Sequence, residues 1–216
     1  MTERSILARF WYRLLQRSVQ VATGILYRTR YTGKENIPAS GGVLMVANHQ
    51  SHLDPPLIGV GVSRRMNYLA RQTLFSFAPF GWLLHSLDVI PIDRDGIGLS
   101  GIKESLRRLK RGEMVLIFPE GTRTSDGEIA PFRPGFTALA VRSGAAILPA
   151  AIEGAFRVWP RWKKFPGRGR IAVHFGKPML PSEVAGRDDR ELVAEVERRV
   201  RECQAELRSD ARFFTP

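Results

Sequence analysis

Residues 42–54 read GVLMVANHQSHLD. The uncharged run 42–47 predicts a buried β-strand, and the two prolines that follow Asp54 suit the first turn of a helix. On a continuous helix His49 and Asp54 would point about 140° apart, at roughly 100° per residue. The two side chains can therefore meet only if the chain turns between them, and a loop from strand to helix supplies that turn.

Two interpretations of His49 and Asp54 are compatible with this spacing. In the first, Asp54 accepts a hydrogen bond from one imidazole nitrogen and leaves the other nitrogen free as a general base. In the second, both residues are structural, because an aspartate before prolines is a good helix N-cap and a single histidine near a strand end more often serves folding. The spacing alone favours the structural interpretation.

Apolar runs alternate with helical patterns along the rest of the chain. This alternation predicts an α/β fold, with a mostly parallel central sheet flanked by helices. A chain of 216 residues without a linker fits one such domain, residues 31–216, preceded by an N-terminal segment. Residues 31–38 are predicted to be a turn-rich connection. The predicted strands are 43–47, 66–70, 88–92, 114–118, 146–151 and 170–175, and the predicted helices are 55–62, 73–85, 97–111, 134–143 and 188–208.

The N-terminal segment, residues 1–30, has the pattern of a basic amphipathic helix from Arg4 to about Tyr27. Apolar and aromatic side chains fall on one side of the helical wheel, and arginines and glutamines gather on the other. Such a helix can lie in the headgroup region of a membrane, with arginine side chains reaching the phosphates. It can equally pack on its own domain, and the sequence does not choose between the two.

The composition limits the classes of partner and compartment. Lys and Arg number 33 against 21 Asp and Glu, and this excess of 12 positive charges predicts a polyanionic partner: an anionic lipid surface, nucleic acid or phosphorylated substrates. The single cysteine, Cys203, excludes a disulfide framework within one chain. No signal peptide is expected, because arginines are scattered among the apolar residues at the start of the chain and no clear cleavage site of small residues follows. No transmembrane helix is expected either, because the longest uncharged stretch, 72–87, falls short of the roughly 18 residues that suggest a span.

Four arginines stand at or near predicted strand ends, where α/β proteins usually bind their ligands. A guanidinium group presents a planar fork of donors that can hold a phosphate through two hydrogen bonds. Gly121 would let the backbone approach such a ligand closely. Taken singly, each arginine is more simply a solvated surface residue, but together they indicate a phosphate-binding site. The four are Arg71, Arg94, Arg123 and Arg133.

These motifs together resemble the glycerophospholipid acyltransferase family, over about residues 33–178. Residues 48–54, NHQSHLD, look like the family's block of a histidine, four residues and an aspartate. Residues 118–123, FPEGTR, look like its phosphate-binding block. Residues 90–94, IPIDR, resemble the second block, and residues 147–150, ILPA, resemble a weaker fourth.

The chain also departs from the family pattern at two places. The glycine that usually opens the second block is replaced in the region of Leu87 and Asp88, so the local backbone geometry is in question. Arg71 and Arg133 stand where many members carry lysine, which keeps the charge and changes the hydrogen-bond geometry.

The resemblance implies transfer of a fatty acyl group from acyl-CoA or acyl carrier protein to the free hydroxyl of 1-acylglycerol-3-phosphate, giving phosphatidic acid. His49 would be the base and Asp54 would orient it. Backbone amides near Gln50 and Ser51, or the N-terminus of the following helix, would stabilise the oxyanion. Glu120 would order the phosphate-binding loop or contact the glycerol of the acceptor. The implied substrate-binding residues are Arg71, Arg94, Glu120, Gly121, Thr122, Arg123 and Arg133.

The resemblance also implies partners and a location. The partners are a lysophospholipid acceptor, an acyl thioester donor that acts as a co-substrate, and an anionic membrane surface. No metal, bound cofactor or nucleic acid is expected. The enzyme would be a monotopic or peripheral membrane protein on the cytoplasmic face.

Several alternatives stay open at this stage. The acceptor could be another lyso-lipid or glycerol phosphate, since the shared blocks do not distinguish among them. Ser51 could instead be the nucleophile of a hydrolase with His49 and Asp54, although the Gly-x-Ser-x-Gly elbow is missing. A nucleic-acid binder would use the same positive charge, but no motif of that class accompanies it.

Overall fold

The computed structural model describes residues 5–92 and 98–214. A six-stranded sheet has the order β1-β8-β7-β2-β6-β3, and β4 and β5 form a separate two-stranded sheet. In the described part of the chain, the pairings between these strands are parallel except that of β7 with β8, so the predicted α/β fold with a mostly parallel sheet is confirmed. The strands are β1 (Arg30–Thr32), β2 (Val43–Ala47), β3 (Met66–Asn67), β4 (Leu69–Arg71), β5 (Ile90–Ile92), β6 (Met114–Ile117), β7 (Ala146–Glu153) and β8 (Ala172–Phe175).

Helices cover both faces of the six-stranded sheet. Alternate side chains of β2 point to opposite faces, so Met45 packs in one core with Leu57 and Leu44 packs in the other with Leu139. All five residues of β2 are fully buried, as a central parallel strand requires. The helices are α1 (Ile6–Tyr27), α2 (Asp54–Val60), α3 (Ala78–Ser86), α4 (Gly98–Lys110), α5 (Thr137–Ser143), α6 (Ala155–Val158), α7 (Pro181–Val184), α8 (Asp189–Ser209) and α9 (Ala211–Phe214).

Two predicted elements take a different form, and several short elements, including β1, α6, α7 and α9, were not predicted. The predicted strand 66–70 is two strands, because β3 pairs with β6 in the main sheet and β4 pairs with β5 in the small one. The predicted helix 73–85 is a 3-10 turn, Gln72–Phe75, followed by α3. The three-residue strand β1 falls in the segment predicted to be only a turn-rich connection, since so short a strand shows no periodicity.

The structure defines the backbone near Asp88, where the chain lacks the glycine that usually opens the family's second block. Asp88 has a φ of 58°, in the left-handed region that favours glycine. Aspartate is one of the residues that tolerate this region, and its side chain accepts a hydrogen bond from Arg108 at 2.8 Å. The chain therefore keeps a glycine-type turn before β5 without a glycine.

The predicted N-terminal helix is present as α1, and it both packs on the domain and exposes an apolar face. Tyr12 and Tyr27 are buried, and Gln16 donates hydrogen bonds to the carbonyls of Gly59 and Val62 at 3.0 and 2.8 Å. Among the described residues, no helix is long and apolar enough to cross a membrane. The exposed apolar residues of α1 are Ile6, Leu7, Phe10, Leu14, Val21, Ile25 and Leu26.

Candidate active site

The turn between β2 and α2 lies at the carboxyl edge of the sheet. Asn48 ends β2 by bonding its side chain to β7, with Nδ2 donating to the Ile152 carbonyl at 3.0 Å and Oδ1 accepting from the Ile152 N–H at 2.8 Å. The neighbouring strand β6 runs parallel to β2, so the loop that follows it opens at the same edge. We call residues 48–54 the catalytic turn and residues 118–123 the neighbouring loop.

His49 and Asp54 meet across the catalytic turn. The His49 Nδ1 atom is 2.8 Å from Asp54 Oδ2, and the His49 ring stacks on Phe118 with centroids 4.1 Å apart. Asp54 is fully buried, and this burial raises the pKa of its carboxyl group, while the hydrogen bond from His49 opposes the shift. A proton on Nδ1 donated to Asp54 leaves Nε2 as the basic nitrogen, so the predicted pairing is present.

The same carboxylate oxygen organises the backbone of the turn. Asp54 Oδ2 also accepts the backbone N–H groups of Gln50 and Ser51, at 2.5 and 2.7 Å. These two amides were the predicted oxyanion donors, and their bonds to Asp54 argue against that role. The N-terminus of α2 offers no replacement at Pro55 and Pro56, because proline has no N–H.

Glu120 joins the catalytic turn to the segment after β6. Its Oε1 accepts the backbone N–H of His49 at 2.7 Å, and its Oε2 accepts that of Ala130 at 2.9 Å. Glu120 is buried, and burial raises its pKa. Both oxygens are therefore committed within the protein, which supports the predicted ordering role and argues against direct contact with an acceptor. The N–H of Thr124 donates to the His49 carbonyl at 2.8 Å and adds a second tie.

Ser51 does not have the geometry of a nucleophile. It is fully buried, and its Oγ donates to the Trp159 carbonyl at 2.9 Å. The histidine that would have to activate it is instead held through Nδ1 by Asp54. The hydrolase alternative therefore has no structural support.

Four arginines lie around the neighbouring loop, and we call them the arginine cluster: Arg71, Arg123, Arg133 and Arg161. Burial lowers the pKa of the Arg123 guanidinium, and the positive charges of Arg161 and Arg71 lower it further. Arg123 Nη1 is buried with no hydrogen-bond acceptor in the described part of the chain. The rest of the Arg123 residue is partly exposed, so an external anion could accept a hydrogen bond from this nitrogen.

Gly121 and Arg133 sit together at the edge of this cluster. Gly121 has a φ of 73°, and a Cβ built on it would lie 3.0 Å from the Arg133 guanidinium carbon. A side chain at Gly121 would therefore strain the backbone and crowd the arginine. Thr122 is exposed beside it. Arg94, the remaining predicted phosphate ligand, lies outside the described residues.

Comparisons with known proteins identify the family. The family model described as "Acyltransferase" matches residues 28–153. The chain belongs to the acyltransferase family. It is 30% identical over 184 residues to the 1-acyl-sn-glycerol-3-phosphate acyltransferase of Bacillus subtilis, covering 85% of this chain and 89% of that one. With the Pseudomonas aeruginosa enzyme of the same name, identity is 36%, covering 91% and 76% of the two chains.

A solved structure extends the similarity to the whole fold. The 1-acyl-sn-glycerophosphate (LPA) acyltransferase PlsC from Thermotoga maritima superposes with a TM-score of 0.81 and 26% sequence identity. The match covers 96% of this chain and 84% of that one. The resemblance that the blocks around His49 and Arg123 indicated is thus confirmed, and the chain is an acyltransferase enzyme.

This acyltransferase also has supporting residues that sequence reasoning missed. The Gln50 side chain donates to the Gly127 carbonyl and to Glu153 Oε2, both at 3.3 Å, and accepts the Phe156 N–H at 3.1 Å. Glu153 Oε2 is bonded in turn by Gln204 at 3.0 Å and Arg208 at 2.9 Å, both on α8. The sequence offered one signal for this network, the carboxylate of Glu153 at the end of the otherwise apolar strand β7. No local pattern indicated its hydrogen-bond partners.

Proposed function

We propose that this acyltransferase moves a fatty acyl group from a thioester to the free hydroxyl of 1-acylglycerol-3-phosphate, giving phosphatidic acid. The observation that carries the proposal is the buried, unpartnered Nη1 of Arg123 beside the His49–Asp54 pair. A hydroxyl acceptor needs a base, and a phosphate on that acceptor needs a cation. The names of the Bacillus and Pseudomonas relatives support the same acceptor.

The chemistry begins at His49 Nε2. This nitrogen removes the proton of the acceptor hydroxyl as the oxygen attacks the thioester carbonyl, and the new C–O bond forms a tetrahedral intermediate. Asp54 holds the tautomer and stabilises the imidazolium through its contact with Nδ1. When the C–S bond breaks, the imidazolium returns the proton to the leaving thiolate, so that a free thiol is released and His49 is neutral again.

The arginine cluster supplies the electrostatic half of the site. A phosphate monoester carries close to two negative charges at pH 7 and offers three acceptor oxygens. Arg123 has a buried donor for it, and the charges of Arg71 and Arg133 are available nearby. Glu120 acts through His49 and Ala130 rather than on the acceptor, so its contribution is to position the catalytic turn.

A thiol-release assay tests the proposal directly. The acyl donor is either acyl-CoA or acyl carrier protein, and the acceptors are lysophosphatidic acid, glycerol 3-phosphate, lysophosphatidylcholine and monoacylglycerol. We expect the highest kcat/KM with lysophosphatidic acid for whichever thioester is used. Thiol release that is equal with and without this lipid, for both donors, would refute the proposal.

We also propose that α1 attaches the enzyme peripherally to anionic membranes, as part of residues 1–30. Leu7 and Phe10 expose most of their side chains on the apolar face, and Trp82 of α3 packs against Trp11 with ring centroids 5.8 Å apart. An amphipathic helix of this kind binds bilayers through apolar burial and through attraction of its arginines to lipid phosphates.

Vesicle flotation of two variants tests the attachment. Leu7→Ser with Phe10→Ser should reduce binding to anionic vesicles several-fold. The control, Val141→Ser, alters an exposed apolar residue on α5, which covers the opposite face of the sheet. Equal binding by both variants would remove the membrane role from α1.

A further inference from the structure

The segment that follows α6 is fastened to the catalytic turn. The Trp159 carbonyl accepts the Ser51 hydroxyl at 2.9 Å, and the Trp159 ring packs on His52 with centroids 5.4 Å apart. The Trp159 Nε1–H donates to the Lys163 carbonyl at 2.9 Å. Residues 159–165 are therefore held against the active site although they are remote from it in sequence; we call them the tryptophan loop.

Arg161 occupies the second position of a tight turn in the tryptophan loop. The Lys163 N–H donates to the Pro160 carbonyl at 3.1 Å and closes this turn, while Pro160 itself is buried. Arg161 lies two residues after Trp159, which contacts His52, so its backbone is held close to the catalytic turn. Its side chain is exposed, so it is free to meet a ligand.

The charge of Arg161 acts on the same guanidinium that the proposed acceptor needs. After burial, it has the largest effect on Arg123, ahead of the charges of Asp54 and Arg71. Two positive guanidinium groups that influence each other repel, and an anion bound between them is attracted to both. Within the described residues, Arg161 forms no ion pair that would quench its charge.

We infer that Arg161 is a further ligand of the acceptor phosphate, opposite Arg123 and delivered by the tryptophan loop. The inference rests on the proposed function and identifies an additional residue of that site. A phosphate monoester has enough acceptor oxygens for the guanidinium groups of both arginines, and a guanidinium group binds best through two parallel hydrogen bonds. The loop also exposes Trp162 by 62% and Phe165 by 72%, which suits a lipid acceptor that arrives from an apolar phase.

The test compares Arg161→Gln with a matched control in the same segment, Arg168→Gln. Arg168 is an exposed arginine with no described contact to the active site. For Arg161→Gln, we expect the KM for lysophosphatidic acid to rise about tenfold or more, with kcat within about twofold, as for loss of a hydrogen bond to a charged group. Arg168→Gln should match the wild type, and Arg161→Lys should recover part of the loss because it keeps the charge.

Two further kinetic measurements show whether Arg161 binds the phosphate of the acceptor, a phosphate of the acyl-CoA donor or the membrane. If Arg161 binds the acceptor, the KM for acyl-CoA and the kcat/KM for monoacylglycerol stay unchanged in Arg161→Gln. A rise in the KM for acyl-CoA would assign the residue to a donor phosphate, and an equal loss with both acceptors would assign it to membrane binding. Either result would overturn the inference.

A binding measurement without turnover completes the design. Isothermal titration of lysophosphatidic acid into the donor-free enzyme in detergent should show affinity weakened about tenfold by Arg161→Gln only, the loss expected for a hydrogen bond to a charged group. Unchanged affinity would refute the role of Arg161. Failure of the wild-type enzyme to prefer lysophosphatidic acid over monoacylglycerol would instead refute the proposed function.

Discussion

The catalytic turn and the arginine cluster lie side by side and have opposite internal bonding. In the catalytic turn, one buried carboxylate oxygen of Asp54 accepts three hydrogen bonds, and Glu120 and Glu153 accept hydrogen bonds from His49 and Gln50 of the turn. In the arginine cluster, Arg123 keeps a buried nitrogen without an acceptor, and its neighbours add like charge. Among the described residues Asp54 Oδ1 is also buried without a hydrogen-bond partner, so the contrast concerns Asp54 Oδ2 and Arg123 Nη1. The first is saturated by groups of the free protein, and we expect the second to be engaged by a ligand.

This difference follows from what each region has to do. A base must be held in a fixed tautomer and direction before the substrate arrives, because reorganisation during the reaction raises the barrier. A binding group gains more if its donors are unused until the ligand comes, since no internal bond has to be exchanged. Variants of the turn should therefore act on kcat, and variants of the cluster should act on KM.

The largest effect is expected for Asp54→Asn. The substitution removes the charge that stabilises the imidazolium and disturbs three hydrogen bonds at once. We expect kcat to fall by about 10³- to 10⁴-fold. Steady-state assays would measure it, with circular dichroism to establish that the fold is retained.

Ser51→Ala is the matched control for that variant. It leaves the backbone amide that donates to Asp54 and removes the hydroxyl, which donates to the Trp159 carbonyl and accepts the Leu53 N–H. Turnover should stay within about an order of magnitude of the wild type, as for loss of neutral hydrogen bonds outside the His49–Asp54 pair. A collapse of turnover with a covalent acyl-serine would contradict the assignment of His49 as the direct base.

The next largest effect is expected for Arg123→Gln. The loss of a buried charged donor should raise the KM for lysophosphatidic acid by roughly 10- to 100-fold and leave kcat almost unchanged. Arg142→Gln, on the exposed surface of α5, serves as the control. If kcat falls as much as KM rises, the contrast between the two regions is wrong.

A smaller effect on kcat is expected for a substitution of Glu153, which supports the catalytic turn through Gln50. Glu153→Gln weakens the hydrogen bonds from Gln50, Gln204 and Arg208, so the catalytic turn loses support. We expect kcat to fall by about tenfold, the equivalent of roughly one hydrogen bond to a charged group. Kinetic assays with the two donors would show whether the loss is in kcat.

Glu128→Gln separates this support from a simple loss of charge. Glu128 also pairs with Arg208, at 2.9 Å, but it is exposed and has no bond to Gln50. Its substitution should leave kcat near that of the wild type. An equal loss of kcat in Glu153→Gln and Glu128→Gln would mean that the hydrogen bond between Glu153 and Gln50 does not contribute to turnover.

The smallest effect concerns His52, a residue of the catalytic turn whose pKa depends on the charge of Arg123 in the arginine cluster. Burial lowers the pKa of His52, and the positive charges of Arg123 and His49 lower it further. Arg123→Gln should therefore raise this pKa part of the way towards the ordinary histidine value of about 6.5, because burial remains. Nuclear magnetic resonance titration of the His52 ring would record the shift, and a fall in the pKa would contradict the proximity of the two charges.

Local sequence patterns were enough to predict the fold class and the pair His49 and Asp54. Both depend on local patterns: apolar runs at strand and helix periods, and two residues five apart at a predicted strand-to-helix turn. The ordered blocks around Arg123 then added a phosphate site, and the family followed. The strand β1 and the division of residues 66–71 into two strands were missed, because short strands are defined by their partners rather than by their own pattern.

The hydrogen-bond partners of the polar groups in the site are set by the folded chain and could not be predicted from the sequence. The amides of Gln50 and Ser51 could have faced an oxyanion, and they are instead occupied by Asp54. Glu120 bonds the backbone at His49, 71 positions away, and Glu153 reaches Gln50 across 103 positions. Each donor and acceptor has several possible partners along a chain, and folding selects among them by burial and distance, which no local pattern encodes.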